Sequence, residues 1–153
     1  MILGIDPGTA CGWAVVDQGI RVCGVWNLSP GRHEGGGMRY LRLERYLREL
    51  MDGRDIKMVA YEEVRRHLGT DAAHIYGGII GTVTGVCEHR GIPYKGIPVS
   101  TIKIRATGKK GADKAKVLAA ARAKWPKLVI PDDNAADALW IAECGLDELG
   151  GVA

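Results

Sequence analysis

The sequence predicts an α/β domain built on a five-stranded mixed sheet, three antiparallel strands followed by parallel additions, flanked by helices. Three observations carry this reading. Apolar stretches within residues 1–28 come three in series with tight turns between them, and the later short apolar stretches alternate with helical ones. Four acids far apart in the chain, Asp6, Glu62, Asp133 and Asp137, each sit where a hydrophobic segment begins or ends. Strands joined by tight turns pair antiparallel, whereas a strand that follows a helix returns by a crossover and lies parallel to an earlier one.

Met1 to Ile5 reads as a buried strand that ends on Asp6 before a Pro7-Gly8 turn. Gly12 to Val16 is its hairpin partner, and Arg21 to Leu28 follows the turn Asp17-Gln18-Gly19 as a third strand. Ser29 to Gly37 is a loop by its Pro and Gly content. From Met38 the apolar positions Leu41, Leu43, Tyr46, Leu47 and Leu50 take helical spacing, and this helix ends near Gly53. Asp55 to Tyr61 is a fourth strand, and Asp71 to Arg90 a long helix whose Gly77, Gly81 and Gly85 fall on one stripe. Glycine costs a helix about 1 kcal/mol per site, so the stripe implies close packing, either by the sheet or by the same helix of a second subunit. Tyr94 to Ile97, between Pro93 and Pro98, is a short fifth strand. Residues 99–106 form a short helix, Gly108-Lys109-Lys110-Gly111 a basic loop, and Ala112 to Trp125 a helix stopped by Pro126. The last helix begins at Asp132 or Asp133, and its amphipathic stretch runs to Leu146.

A chain of 153 residues fits a single domain, residues 1–153, large enough to bury a core but too short for two lobes with a cleft between them. No apolar run approaches the roughly 18 residues of a membrane span, and the N-terminus reads as neither basic leader nor cleavage site, so a cytoplasmic protein is expected. Cys11, Cys23, Cys87 and Cys144 have no paired spacing, and the four histidines add only the weak Cys87-x-His89. Reduced, packed thiols are therefore expected in place of a structural zinc site. Net charge is only +3, but it is unevenly spread: residues 95–127 carry ten Lys/Arg against the single acid Asp113, and residues 128–153 carry six acids and no base. A basic stretch beside an acidic one suits a site that holds a polyanion next to metal cations.

Hard divalent cations bind carboxylate oxygens, and a metal site needs its ligands on rigid elements. The four acids meet both conditions, which points to a metal-dependent nuclease. Asp133 and Asp137, four apart, share a helix face, and in the first turn the helix dipole favours their ionised forms. Taken singly, Asp6 also suits a turn before Pro-Gly, and Asp132 or Asp133 suits a helix cap. Capping by one leaves the other free to bind metal.

The order of elements, with an Asp on the first strand, a Glu ending the fourth and Asp residues on the final helix, resembles the ribonuclease H-like fold. Within it the sequence is most similar to the RuvC-like Holliday junction resolvases, particularly the short phage-type members. The matching pieces are Gly4-Ile5-Asp6-Pro7-Gly8-Thr9, Ala60-Tyr61-Glu62-Glu63, Gly111-Ala112-Asp113-Lys114 and Asp133-Asn134-Ala135-Ala136-Asp137-Ala138-Leu139. Each is weak alone; the four in order, spanning nearly the whole chain, are specific.

The resemblance implies a homodimer that cuts two opposed strands of a four-way DNA junction, leaving 5′-phosphate and 3′-hydroxyl ends. It implies two Mg²⁺ per site, with Mn²⁺ as a substitute, Asp6 between the ions and Glu62, Asp133 and Asp137 completing their shells. Asn134 and Glu63 stand beside these ligands. Lys103 and Lys114 fall where the family places phosphate-contacting bases, and Arg105, Lys109, Lys110 and Lys116 surround them. There are two departures. Cellular members space the last two ligands three apart, which here pairs Asn134 with Asp137. Asn is the weaker, neutral ligand, and this favours Asp133 with Asp137. Where the family can carry an aromatic wedge three residues beyond the strand-ending Glu, Arg65 and Arg66 occupy the region with His67, and arginine can stack on bases or grip phosphates. The rival readings are another nuclease of this fold, acting on RNA/DNA hybrids or flaps, and a non-catalytic DNA-binding module. The Asp6-x-Gly8-Thr9 turn also resembles that of actin-like ATPases, but those enclose nucleotide between two lobes.

Overall fold

The structure, a computed structural model, describes residues 1–150. Its strands are β1 (Ile2–Asp6), β2 (Ala10–Val16), β3 (Arg21–Asn27), β4 (Met58–Glu63) and β5 (Tyr94–Pro98). Its helices are α1 (Met38–Met51), α2 (Thr70–Arg90), α3 (Val99–Thr107), α4 (Lys114–Lys124) and α5 (Asp133–Gly150). The sheet runs β3-β2-β1-β4-β5. Pairing is antiparallel between β1 and β2 and between β2 and β3, and parallel between β1 and β4 and between β4 and β5. The mixed sheet is thus the one the sequence predicts.

Side chains alternate along a strand, so each strand feeds two cores. Leu3, Ile5 and Val59 pack with Leu43, Leu47, Ile79 and Val83 of α1 and α2 on one face. Ile2, Ala14 and Ala60 pack with Ala138, Leu139 and Ala142 of α5 on the other, where α3 and α4 add Ile102, Val117 and Ala121. Helix α5 therefore lies between the sheet and a second helical layer. This explains why Ala135, Ala136 and every residue from Ala138 to Gly145 are buried, since a helix covered on both sides is apolar nearly all round.

The elements differ from the sequence reading mainly at their ends. Strand β4 starts at Met58, because Asp55 and Lys57 leave the ladder to close the chain's start: the Met1 ammonium donates to the Asp55 carbonyl and the Lys57 N–H to the Met1 carbonyl. Helix α5 runs past Leu146 to Gly150, carried by Arg105, which grips Asp147 at 2.6 Å. The glycine stripe of α2 does not meet the sheet. Among the described residues nothing lies within 4 Å of where a Cβ on Gly77, Gly81 or Gly85 would stand, whereas the neighbouring Gly78 is pressed by the Tyr40 ring.

Candidate active site

Two strand ends and one helix start build the site. The parallel register sets Ile5 opposite Tyr61, so Asp6 and Glu62 come next, side by side at the same sheet edge. Alternation turns both toward α5, on the face of Gly4 and Ala60. Helix α5 presents Asp133 as its first residue and Asp137 one turn later. Asp132 caps the helix, its Oδ1 accepting from the Ala135 N–H at 3.0 Å, and so leaves Asp133 outside the capping bond.

The helix can come this close because the facing surfaces are nearly bare. A Cβ on Gly4 would overlap the Ala138 carbonyl, and one on Gly12 would overlap the Asn134 carbonyl and press the Asp6 Cβ. Ala135, Ala138, Ala142 and Gly145 give α5 a matching flat stripe at 3-4-3 spacing. Sequence reasoning passed over this, although the spacing was there to be read.

The electrostatics follow from crowding acids in a half-dry place. Burial, then Glu62 and Asp137, push the Asp6 carboxyl well above its usual range, while Lys114 pulls the other way. Burial raises Glu62, opposed by Lys114 and Lys103. Burial and then Glu62 push Asp137 up to about 6. Asp133 behaves oppositely: the Lys114 ammonium, 3.1 Å from its Oδ2, holds it low. The same bond raises Lys114. Even Cys11, buried behind Asp6, is pushed up to about 12. Among the described residues the Asp6, Glu62 and Asp137 side chains have no ion pair.

As the side chains stand, no three His, Cys, Asp or Glu groups among the described residues converge tightly enough to hold an ion. Like charges repel, and Lys114 is drawn in to serve as their cation. The donor set nevertheless fits a hard divalent ion: four carboxylates, three of them costly to ionise where they are. Such a cost is what an added positive charge would remove.

The other expected residues lie in different settings. Asn134 donates from Nδ2 to the Asp132 Oδ2 at 3.2 Å, while its carbonyl backs on Gly12. Glu63, the next residue after Glu62, turns to the opposite face and pairs with Arg65 at 3.3 Å. Arg65 and Arg66 are exposed beyond the end of β4, and Lys109 and Lys110 in the turn after α3. Lys116 pairs with Asp113, the residue that caps α4. Arg105 is occupied elsewhere, holding Asp147 and approaching Glu143 at 3.5 Å. Tyr76, which sequence reasoning did not single out, bridges the end of β4: its hydroxyl donates to the Glu62 carbonyl at 2.9 Å and accepts from the Val64 N–H at 3.0 Å. No local pattern in the sequence marks it, because α2 meets β4 only in the fold.

Known proteins are similar to this chain in sequence and fold. The family model described as crossover junction endodeoxyribonuclease RuvC matches residues 2–145. The RuvC of Halorhodospira halophila is 34% identical over 146 residues, covering 94% of this chain and 87% of its own. That of a Synechococcus species is 32% identical over 151 residues, covering 94% and 96%. Two solved structures, Thermus thermophilus RuvC and T. thermophilus RuvC in complex with a Holliday junction substrate, superpose with TM-scores of 0.76 and 0.79 at 23% and 22% identity. Each covers 97% of this chain, with 96% and 95% of its own length matched, and at that identity they speak for the fold. A family model matching residues 2–145, and relatives 34% and 32% identical over 94% of the chain, place it in the RuvC family of crossover junction endodeoxyribonucleases.

Proposed function

We propose that this endonuclease resolves four-way DNA junctions by hydrolysing one phosphodiester in each of two opposed strands, as a homodimer using two Mg²⁺ per site. The observation that carries the reading is the group of Asp6, Glu62 and Asp137, all three raised by burial, Asp6 and Asp137 also by neighbouring acids, and without an ion pair among the described residues, at the edge of a RuvC-type sheet. Two divalent ions held there would supply the charge needed to activate a water and to stabilise the leaving 3′ oxygen. Asp6, Glu62, Asp133 and Asp137 would hold the ions, with Asp6 shared between them. The sheet register and the α5 contact fix their backbones, so side-chain rotation is what ion binding asks of them. Lys114, displaced from Asp133, and Lys103 then face the scissile strand, where Lys109, Lys110, Arg65 and Arg66 position phosphates without reading sequence. Asn134, bonded to the capping Asp132, stands behind the ligands, and residues 1–153 act as one nuclease domain in the cytoplasm. Two cuts related by symmetry need two sites on a two-fold axis, and a second chain brings the second site.

The test offers labelled four-way junction, duplex, flap and RNA/DNA hybrid to the wild type and to Asp6→Asn, with Mg²⁺ or chelator. Paired nicks in the junction that need both Mg²⁺ and Asp6 are the expected result. Comparable cutting of hybrid or flap would move the assignment to another nuclease of this fold, and binding with no metal-dependent cutting to a DNA-binding module. Sedimentation that shows only monomer, with and without junction, would remove the dimer.

A further inference from the structure

At the end of the sheet away from the carboxylates, the start of β3 borders a cationic pocket. The register sets Ile2, Val16 and Arg21 in one row and Asp6, Gly12 and Val25 in another, so Arg21 stands about 13 Å along the strands from the row of Asp6. The pocket, of about 390 Å³, is lined by Arg21, Lys124, Trp125, Pro126, Lys127 and Leu128 among others. The Arg21 guanidinium lies 5.6 Å and the Lys124 ammonium 5.0 Å from the Trp125 ring centroid. Glu143, behind them, accepts from both, and Lys127 makes no ion pair among the described residues. Three cations in the wall against the single carboxylate of Glu143 leave a surplus of two positive charges.

Among the described residues β3 has a strand on one side only, β2. The usual guards of a free edge are a proline, a bulge or a run of charge, and β3 has none of them. Its register with β2 runs unbroken from Arg21 to Asn27, and its single charged side chain, Arg21, is turned onto Glu143. Alternation gives the edge two unlike faces. Arg21 and Cys23 stand on the α5 side with the pocket. Val22, 40% exposed, and Trp26, stacked on Trp13, stand on the other.

We propose that β3 docks an extended acidic segment of a partner protein, which adds a sixth strand to the sheet and alternates carboxylate with apolar side chains. The unpaired N–H and C=O groups of β3 select a polypeptide, because only another backbone can pair with them in a ladder. The surplus charge selects acid on the α5 side, where a carboxylate meets Lys127 and the Arg21–Lys124 pair. The opposite side selects an apolar residue, since Val22 and the Trp26 ring are what it meets. Arg21 and Lys124 are already held by Glu143 and the Trp125 ring, which spares part of the cost of ordering long side chains on binding. Because the surface lies at the far end of the strands, a bound partner leaves the carboxylate edge open to DNA.

The test titrates the protein into a fluorescein-labelled peptide of alternating Asp and Val, read by anisotropy, with amide exchange followed along β3. Binding with a Kd of about 10–100 μM is expected, together with slowed exchange in β3. A peptide of alternating Lys and Val, and the Asp peptide with a methylated backbone, should each bind at least about tenfold more weakly. The Asp peptide should lose about as much on Lys127→Glu, an exposed substitution that leaves junction cleavage unchanged. Equal binding of the Asp and Lys peptides overturns the inference, as do full binding of the methylated peptide and no binding at millimolar concentration. A four-way junction that displaces the peptide in chelator also overturns it, by making the pocket a DNA site, since the inference has both bound at once. Sedimentation in which the peptide splits a dimer gives the edge to a second copy of this chain and overturns it too.

Discussion

Helix α5 carries a desolvated acid near each end of its core-facing length, Glu143 buried and Asp137 half-buried, and the two ends are treated in opposite ways. Glu143, 3% exposed, is met by Arg21 at 2.7 Å, Lys124 at 3.3 Å and Arg105 at 3.5 Å, from β3, α4 and α3. Lys124 in turn lies over the Trp125 and Trp140 rings. Asp137, six residues earlier, faces Asp6 and Glu62 with only Lys114 and Lys103 nearby to oppose the three. A protein that supplies three cations to one acid could have done so for the others. Burial alone therefore does not mark function: the Glu143 end is a clamp between elements, and the Asp137 end is a charge deficit that a divalent ion would fill.

The strongest way to break the comparison is at Asp6. Asp6→Asn removes the central carboxylate, and losing several kcal/mol of transition-state stabilisation should slow junction cleavage about a thousandfold or more. In chelator the same variant should melt at or above the wild-type temperature, because it relieves a buried charge among like charges. A variant that lost activity and stability together would mean that the two ends of α5 are alike after all.

Glu143→Gln should do the reverse. It leaves three cations facing a neutral amide, and removing one partner of a buried charge network costs about 3 kcal/mol, a fall of about 10 °C in melting temperature for a chain of this size. Cleavage well below that temperature should stay within a few fold of wild type. Thermal melts and cleavage at low temperature check both halves, and a thousandfold loss in a folded Glu143→Gln would erase the distinction.

The sequence made one end of α5 far more legible than the other. Asp6, Glu62 and Asp137 sit at the ends of periodic apolar segments, and strand alternation with a crossover was enough to bring them to one edge. Position also offered Asp132 or Asp133 as the cap and left the other to bind, and only the fold gives the cap to Asp132. Glu143 gave no such signal, because its partners Arg21, Arg105 and Lys124 are distant in sequence and meet it only once α3, α4 and β3 have packed. Arg105 looked like part of a basic patch for the same reason, since charge clustering along a chain does not say which face the side chains take. The glycines misled by their spacing: Gly77, Gly81 and Gly85 made the visible stripe, yet Gly4 and Gly12, with no periodicity at all, are where backbone meets backbone.

A titration sharpens the comparison further. Asp137 rises from 3.8 to about 6 in the folded chain, so the native state binds its proton more tightly than the unfolded state. This group therefore costs no stability below its unfolded value, and costs progressively more as pH rises toward about 6. The cost reaches at most about 3 kcal/mol, and nearer 2 once partial exposure is counted. In chelator, Asp137→Asn and wild type should melt together at pH 4 and diverge by about 5 °C in the variant's favour by pH 7. Adding Mg²⁺ should close the gap for the wild type. A difference independent of pH would show that no charge deficit exists at this end.

The smallest expected effect concerns the basic segment, which the two ends of α5 divide between them. Lys124 and Arg105 are consumed by Glu143 and Asp147, whereas among the described residues Lys109 and Lys110 make no ion pair and stand exposed after α3. Only cations free of the fold can release counterions from DNA phosphates, and each such contact contributes about 0.9 to the slope of log K against log salt. Replacing Lys109 and Lys110 with Ala should therefore flatten that slope by about two, measured as junction binding in chelator across a salt series. Lys124→Ala should lower stability and leave the slope unchanged. The two substitutions remove the same kind of charge from the same basic run, so a slope that responded equally to both would show that the clamp's cations also reach DNA, and that the division between structural and functional charge along this helix is not a real one.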